Sequence, residues 1–386
     1  MANVNTSDVA EMRTRNDSVK QKYIFDSYTR RNASCSDAYI RECFDAFDVD
    51  GDAYLNEQEF HAMAECLFCH GDKTWPLSEK QLQDTLKLLD TNQDGKIDFD
   101  EFRVCWHHWL KQVLAPVSAL LIIDVQNDFI DGSLAIRHCP AGQEGAEVVP
   151  TINYLLDTVQ FHVVVYSLDW HPPDHISFVE NVCNREVHKT SKVSAEEAKV
   201  MDTVVFAGPP LTPQMMWPAH CVQDTWGSQL HQDLKILKDG IIVNKGTFSD
   251  VDSYSAFWDN NKVSQTKLVQ ELSKRNVTDV YLCGLATDIC VGLTAKHALE
   301  HGFRTVLIED ACRGVAQSNI DKTKEELRAL GAVIVDSSEV ADMVKGVDRR
   351  PDLGYQAAVN VATAVRIVQE DRKRSQKDNN DDNNGH

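Results

Sequence analysis

Downstream of Pro116 the chain carries six short runs that are apolar on nearly every residue and rich in β-branched side chains: 119–124, 162–169, 241–244, 277–284, 305–309 and 332–336. A strand apolar on both sides must be covered on both faces, which is the pattern of a parallel sheet buried between helices. Helical stretches at 147–160, 262–275, 288–301 and 320–330 fall between these runs. Strand alternating with helix predicts right-handed βαβ units and a doubly wound six-stranded parallel sheet. In open sheets of this kind, functional residues gather at the carboxyl ends of the strands.

The first part of the chain follows a different rule. Residues 37–112 alternate helical periodicity with acidic clusters, and Pro116 closes the segment because it cannot continue a helix. In one cluster Asp48, Asp50, Asp52, Asn56 and Glu59 stand at positions 1, 3, 5, 9 and 12 of a loop, with the carbonyl of Tyr54 at position 7. A second cluster repeats the spacing with Asp90, Asn92, Asp94, Asp98 and Glu101, and with the carbonyl of Lys96 at position 7. Such spacing wraps six or seven oxygens around Ca²⁺. Two copies in tandem between amphipathic helices resemble an EF-hand pair and imply Ca²⁺ binding. Position 6 is Gly95 in the second loop and Ala53 in the first. A positive φ at Ala53 would cost about 1 kcal/mol, so the first loop is expected to bind more weakly.

The formal charge of −20, from 59 acidic and 39 basic residues, argues against nucleic acid or an anionic membrane as partner and favours cations. Residues 1–20 are polar, and no apolar run approaches the roughly 20 residues that span a bilayer. The 11 cysteines show no framework spacing and are read as reduced thiols of a cytoplasmic, and also nuclear, protein. Cys66-Leu-Phe-Cys69-His70 matches a haem-attachment pattern but lies at helical spacing, where cysteine packs as a small hydrophobe. The domain reading is a mobile segment 1–31, a helical pair 32–113, a sheet domain 118–347 and an extension 348–386, with 371–386 disordered.

The strand ends carry chemistry. Asp124 ends the first run, Asp169-Trp170-His171 the second, Lys245-Gly246 the third, and Gly284-Leu-Ala286-Thr287-Asp288-Ile-Cys290 the fourth; Trp217-Pro-Ala-His220-Cys221 comes from a long insertion. Thr287 or Asp288 can cap a helix that places Cys290 in its first turn, where the macrodipole favours a thiolate. A carboxylate can take the thiol proton and a lysine can hold the two together, roles that fit Asp124 and Lys245. His171, two residues from Asp169, with another histidine downstream suits a catalytic Zn²⁺, or Fe²⁺ or Mn²⁺, although spacing alone leaves the ligand set open.

These motifs resemble the isochorismatase-like cysteine hydrolases over residues 118–339. The segments Asp169-Trp-His171-Pro-Pro-Asp-His-Ile-Ser-Phe178 and Trp217-Pro-Ala-His-Cys221 look like the nicotinamidase branch of the animal type, which adds an EF-hand pair. The resemblance implies a triad of Asp124, Lys245 and Cys290, and metal ligands Asp169, His171 and His220. It also implies a cis peptide between Leu285 and Ala286 that turns the Ala286 and Cys290 amides toward an oxyanion, and ring walls from Phe129, Trp170, Trp217 and Tyr254. The implied reaction hydrolyses nicotinamide to nicotinate and ammonia through a cysteine thioester, feeding NAD salvage, with Ca²⁺ as regulator. Other readings are a carbamoyl or ureido amidohydrolase of the same superfold and a Ca²⁺ sensor or buffer whose sheet domain is idle. The resemblance also brings a difficulty. In strand order 3-2-1-4-5-6 the third strand lies about 10 Å from the first, at ~4.8 Å per strand, so Lys245 must reach back to Asp124.

Overall fold

The computed structural model describes residues 21, 24–26, 28 and 36–364. Most of the segment 1–31, and all of 371–386, lie outside the described residues. Among the described residues, those up to Pro116 and those from Asp342 onward pack as one unit, and Val117–Ala341 as another. No described helix is long and apolar enough to cross a membrane.

In the first unit, helices α1 (Asp37–Phe47), α2 (Glu57–Leu67), α3 (Glu79–Leu89) and α4 (Phe99–Cys105) form where the periodicity places them. Asn56 caps α2 and Asp98 caps α4, each reciprocated by the glutamate three residues on, Glu59 and Glu101. Loop position 12 and capping-box position N3 are thus one residue. Leu55 and Ile97 pair antiparallel and are both buried, tying the two loops together. Phe44, Phe47, Phe102, Trp106 and Trp109 fill the core beneath them.

The extension from residue 348 is no appendage to the sheet domain. Its helical residues 351–364 bury Ala357 and Ala358 in the core of the helical unit, and Trp109 Nε1 donates to the carbonyl of Gly354 at 2.8 Å. Arg349 anchors the same segment by donating from Nε to the Leu67 carbonyl at 2.5 Å and from Nη2 to Cys69 Sγ at 3.0 Å. Cys69, of the haem-like motif, is therefore a packing residue.

In the second unit, strands β1 (Ser118–Ile123), β2 (Val163–Asp169), β3 (Ile241–Lys245), β4 (Asp279–Leu285), β5 (Arg304–Arg313) and β6 (Val333–Val335) form one parallel sheet. Its order is β6-β5-β4-β1-β2-β3, the doubly wound arrangement expected. The order reverses at β1, so the crevice at its carboxyl end is flanked by β4 and β2. Helices α5 (Val148–Thr158), α6 (Leu268–Ser273), α7 (Gly292–Glu300) and α8 (Gln317–Ala329) supply the crossovers.

Helix α6 begins six residues later than the periodicity suggests. Asp259 accepts N–H bonds from Asn261, Val263 and Ser264, which winds residues 259–264 into a turn. The insertion after β2 forms an antiparallel hairpin, Thr203–Phe206 with Thr212–Met215. Val204 and Phe206 build a small core of their own with Ile176, Val182 and Met216.

Candidate active site

Asp124 follows β1 with a φ of +50° and is fully buried. Ser167 of β2 donates from Oγ to its Oδ1 at 2.6 Å. Lys245 Nζ lies 2.9 Å from Oδ2, as an ion pair rather than an aligned hydrogen bond. The same ammonium lies 2.5 Å from Asp169 Oδ1, 3.0 Å from the carbonyl of Ser253 and 3.4 Å from Cys290 Sγ. The reach from β3 to β1 is therefore made. Lys245 stands in register with Asp169 on β2, and its four-carbon stem carries the charge past that strand.

The backbone around Cys290 departs from the expected capped α-helix. The Leu285–Ala286 peptide is cis, and Thr287–Val291 forms a π-turn with Ala286 at its N-cap and no side-chain cap. Asp288 does not cap this turn: its carboxylate accepts the N–H groups of Val315 and Ala316 at 2.8 and 3.0 Å. It ties the turn that carries Cys290 to the loop after β5.

Electrostatics reverse one expectation. Burial pushes the Cys290 thiol far above its ordinary range; Lys245 opposes this, while Asp124 and Asp169 add to it. The resting sulfur is a thiol rather than a thiolate made by the macrodipole. Burial likewise raises Asp124, against the pull of Lys245, so this carboxylate can accept a proton. Lys245 is held charged, since Asp124, Asp169 and Cys290 outweigh the effect of its burial. Asp169 is also buried, but Lys245 and His171 outweigh that and keep it ionised.

Asp169, His171 and His220 each present one ligand atom, and these atoms lie within 4.8 Å of one another. His171 Nδ1 is bonded to the carbonyl of Gly246 and His220 Nδ1 to that of Pro218, both at 2.8 Å. A carbonyl partner requires Nδ1 to carry the proton, so in each ring Nε2 is the atom turned toward Asp169 and able to ligate an ion. Burial, then His171, lower His220 to about 4, so it is neutral and able to ligate. His171 goes the other way: it is also buried, but Asp169 beside it outweighs that and raises it, so an ion would displace its Nε2 proton. Two imidazoles and a carboxylate fit a divalent transition metal. His175 stacks on His171 at 3.9 Å and is not in this group.

Cys290, Asp169, His171 and His220 line one pocket with Phe129, Trp217 and Tyr254. Trp170 is not among its lining residues. Neighbours along an extended chain point to opposite sides, so with Asp169 and His171 facing inward Trp170 faces away. Sequence reasoning missed Leu134, Ile136, Ile289 and Val315, apolar residues of loops and a helical turn that complete the walls. Ile289 was findable, as it adjoins Cys290; the others carry no local signal.

In the helical unit, Asp48 accepts the N–H groups of Gly51 and Ala53, and Asp90 those of Gln93 and Gly95. Asp48, Asp50 and Glu59 bring carboxylate oxygens within 4.8 Å of one another. Ala53 has a φ of +70°, as expected, but Gln93 in the second loop has +63° at position 4, where the first loop has Gly51. Each loop holds one glycine and one residue with a Cβ in the left-handed region, so backbone strain does not rank them. Lys96 of the second loop lies 2.8 Å from Asp52 Oδ2 of the first.

Comparison with known proteins follows these divisions. Residues 118–339 match the isochorismatase domain, and residues 37–103 the EF-hand domain pair. The nicotinamidase of Acinetobacter baylyi is 33% identical over 233 residues, covering 60% of this chain and 98% of that protein. The nicotinamidase of Saccharomyces cerevisiae is 35% identical over 232 residues, covering 57% of this chain and all of that protein. Among solved structures, the nicotinamidase and pyrazinamidase of Acinetobacter baumanii superposes with a TM-score of 0.50 at 34% identity, covering 58% of this chain and 98% of that one.

Proposed function

Because the chain belongs to the isochorismatase family of hydrolases and carries an EF-hand pair, we propose that it is a metal-dependent nicotinamidase, cleaving nicotinamide to nicotinate and ammonia for NAD salvage. The observation that supports it best is the Lys245 ammonium, within 3.4 Å of the nucleophile and both carboxylates, beside a histidine pair whose Nε2 atoms face Asp169. Phe129, Trp217, Ile289 and Val315 give the pocket flat apolar walls, which suit a pyridine ring better than a ureido group.

A divalent ion, Zn²⁺ or else Fe²⁺ or Mn²⁺, would be held by Asp169, His171 and His220 and would supply a Lewis acid for the ring nitrogen. Asp124 takes the Sγ proton as Cys290 attacks the carboxamide carbon, so the thiolate exists only when substrate is present. The amides of Ala286 and Cys290 are the donors we assign to the oxyanion. The C–N bond then breaks, and ammonia leaves with the proton returned by Asp124. Asp124 next deprotonates a water that adds to the thioester; the C–S bond breaks, nicotinate departs and the sulfur regains its proton. Lys245 stays charged throughout and keeps Asp124 beside the sulfur.

Ammonia release from nicotinamide tests the reading, with Cys290→Ala and chelator-treated enzyme as references. A metal-loaded wild type that releases none overturns it. Ca²⁺ in the EF-hand loops is the regulator we assign. Equal rates with and without Ca²⁺, and in Glu101→Gln, would remove that role.

A further inference from the structure

The stretch after Asp124 holds three buried polar side chains that the reaction does not use, Gln126, Asn127 and Asp128, and the first and last of them reach the ligand-bearing segments. Gln126 is fully buried and clamps the main chain of Asp169 at both ends. Its Oε1 accepts the Asp169 N–H at 2.9 Å, and its Nε2 donates to the Asp169 carbonyl at 2.8 Å and to that of Ser228 at 2.8 Å. Both Nε2 protons and one Oε1 lone pair are thus used to fix one ligand-bearing residue against the 226–229 loop.

Asp128 does the same for His220. Its Oδ2 accepts the N–H of Cys221, the residue after His220, at 2.7 Å, and its Oδ1 accepts the N–H of Ser133 at 3.1 Å. Its own N–H donates to the Gly227 carbonyl at 3.1 Å. The carboxylate sits in a recess made by two glycines. A Cβ on Gly132 would lie 2.1 Å from Oδ1, and one on Gly227 would lie 1.9 Å from Oδ2. Cys221 has a φ of +47°, so the turn that presents His220 has a conformation L-residues seldom adopt and needs an outside anchor. Asp128 is that anchor.

We propose that Gln126 and Asp128 are positioning residues of the metal centre, which set the separation of Asp169 and His220 through main-chain grips without touching ion or substrate. Positions 124, 126 and 128 thus serve one site from a single stretch: the proton acceptor, the grip on one ligand and the grip on another. The inference rests on the reading that Asp169, His171 and His220 hold a divalent ion. Loss of a grip leaves a buried N–H unpaired and lets the ligand drift. Outer partners of this kind are worth about 10- to 100-fold in metal affinity.

The test is Zn²⁺ binding by the full chain, first stripped of metal and then titrated against a chromophoric chelator. Gln126→Met, Asp128→Asn and Gly227→Ala are expected to weaken Zn²⁺ about 10- to 100-fold, while the exposed control Asp131→Asn matches wild type. Gln126→Glu keeps the oxygen that receives the Asp169 N–H, and is expected to recover part of the affinity. Saturating Zn²⁺ should raise ammonia release in the weakened variants, a rescue that a merely structural defect would not show. Variants that are folded by near-ultraviolet circular dichroism and bind Zn²⁺ as tightly as wild type overturn the proposal. Should Asp128→Asn fail to fold, Gln126→Glu and Gln126→Met decide the matter by their difference. A wild type that binds Zn²⁺ but releases no ammonia overturns the proposed activity and leaves this inference standing.

Discussion

Lys245 of β3 lies 2.9 Å from Asp124 after β1, although β2 runs between the two strands. The ammonium is fully buried with two carboxylates and the Cys290 sulfur around it, and among the described residues it is the positive charge near Asp124 that does not depend on a histidine or an ion. Removing it in Lys245→Met leaves two buried carboxylates to repel each other. Breaking a buried pair in this way costs about 3–5 kcal/mol. Both a lower melting temperature and a loss of more than about 100-fold in kcat are expected. Lys245→Arg should not restore activity, because a planar guanidinium cannot occupy a slot shaped around a point charge. A variant with wild-type turnover would exclude Lys245 from the triad.

Asp288 holds the pocket wall that faces the same sulfur. Its carboxylate holds the N–H groups of Val315 and Ala316, and Val315 is a pocket wall. In Asp288→Ala two N–H groups lose their acceptor and the wall moves relative to Cys290. KM for nicotinamide is expected to rise with a smaller change in kcat, since the triad contacts do not pass through Asp288. Steady-state kinetics check this, and a fall in kcat at unchanged KM would contradict it.

Two tryptophans with similar sequence surroundings separate in the structure, and their substitution should separate too. Trp217 lines the pocket and Trp170 does not. Trp217→Ala is expected to cut kcat/KM by at least about 10-fold, given the ~1–3 kcal/mol that a lost aromatic wall contributes. Trp170→Ala should leave KM near wild type. The reverse order in measured kcat/KM would reassign the walls.

The contrast shows what the sequence could and could not deliver. The six strands were legible because apolar β-branched runs have only one use in a βαβ chain, and Asp124, Asp169, Lys245 and Cys290 were legible because each ends or follows such a run. Trp170 failed because the side of the chain it faces depends on which neighbours point inward, information a motif does not hold. The cap assigned to Thr287 or Asp288 failed because Asp288 has a better use: two N–H groups 27 and 28 residues away in sequence. Leu134 and Val315 reach the pocket from loops whose paths only tertiary packing determines. What the extension from 348 packs on was hidden for the same reason, since Leu67 and Cys69, which Arg349 grips, lie 282 and 280 residues upstream.

The EF-hand loops interact through side chains as well as through the Leu55–Ile97 ribbon. Lys96 Nζ stands 2.8 Å from Asp52 Oδ2, where a cation entering the first loop would seek an oxygen, and it also lies over the Tyr54 ring at 5.0 Å. Lys96 serves the second loop only through its carbonyl, so its side chain can change without removing a ligand there. Lys96→Met is expected to tighten Ca²⁺ in the first loop by no more than a few-fold, because the pair is exposed and screened by solvent. Calorimetric titration should show one of two sites shifting. A shift in the site that Glu101→Gln abolishes, instead of the one that Glu59→Gln abolishes, would contradict the assignment.

Gly354 stands inside the helical segment 351–364, where alanine would ordinarily stabilise by about 1 kcal/mol. Here a Cβ would lie 2.2 Å from the Phe68 ring. Phe68 is 4% exposed and packs against Trp109 at 6.3 Å between centroids, so the ring has no room to swing aside. Trp109 in turn donates to the Gly354 carbonyl, which fixes the helix at this distance. Overpacking of this kind costs about 1–3 kcal/mol, enough to reverse the propensity gain. Gly354→Ala should therefore lower the melting temperature, and Phe68→Leu, which vacates the ring edge, should restore part of the loss in the double variant. An increase in melting temperature on Gly354→Ala alone would show that the helix does not pack on Phe68 as described.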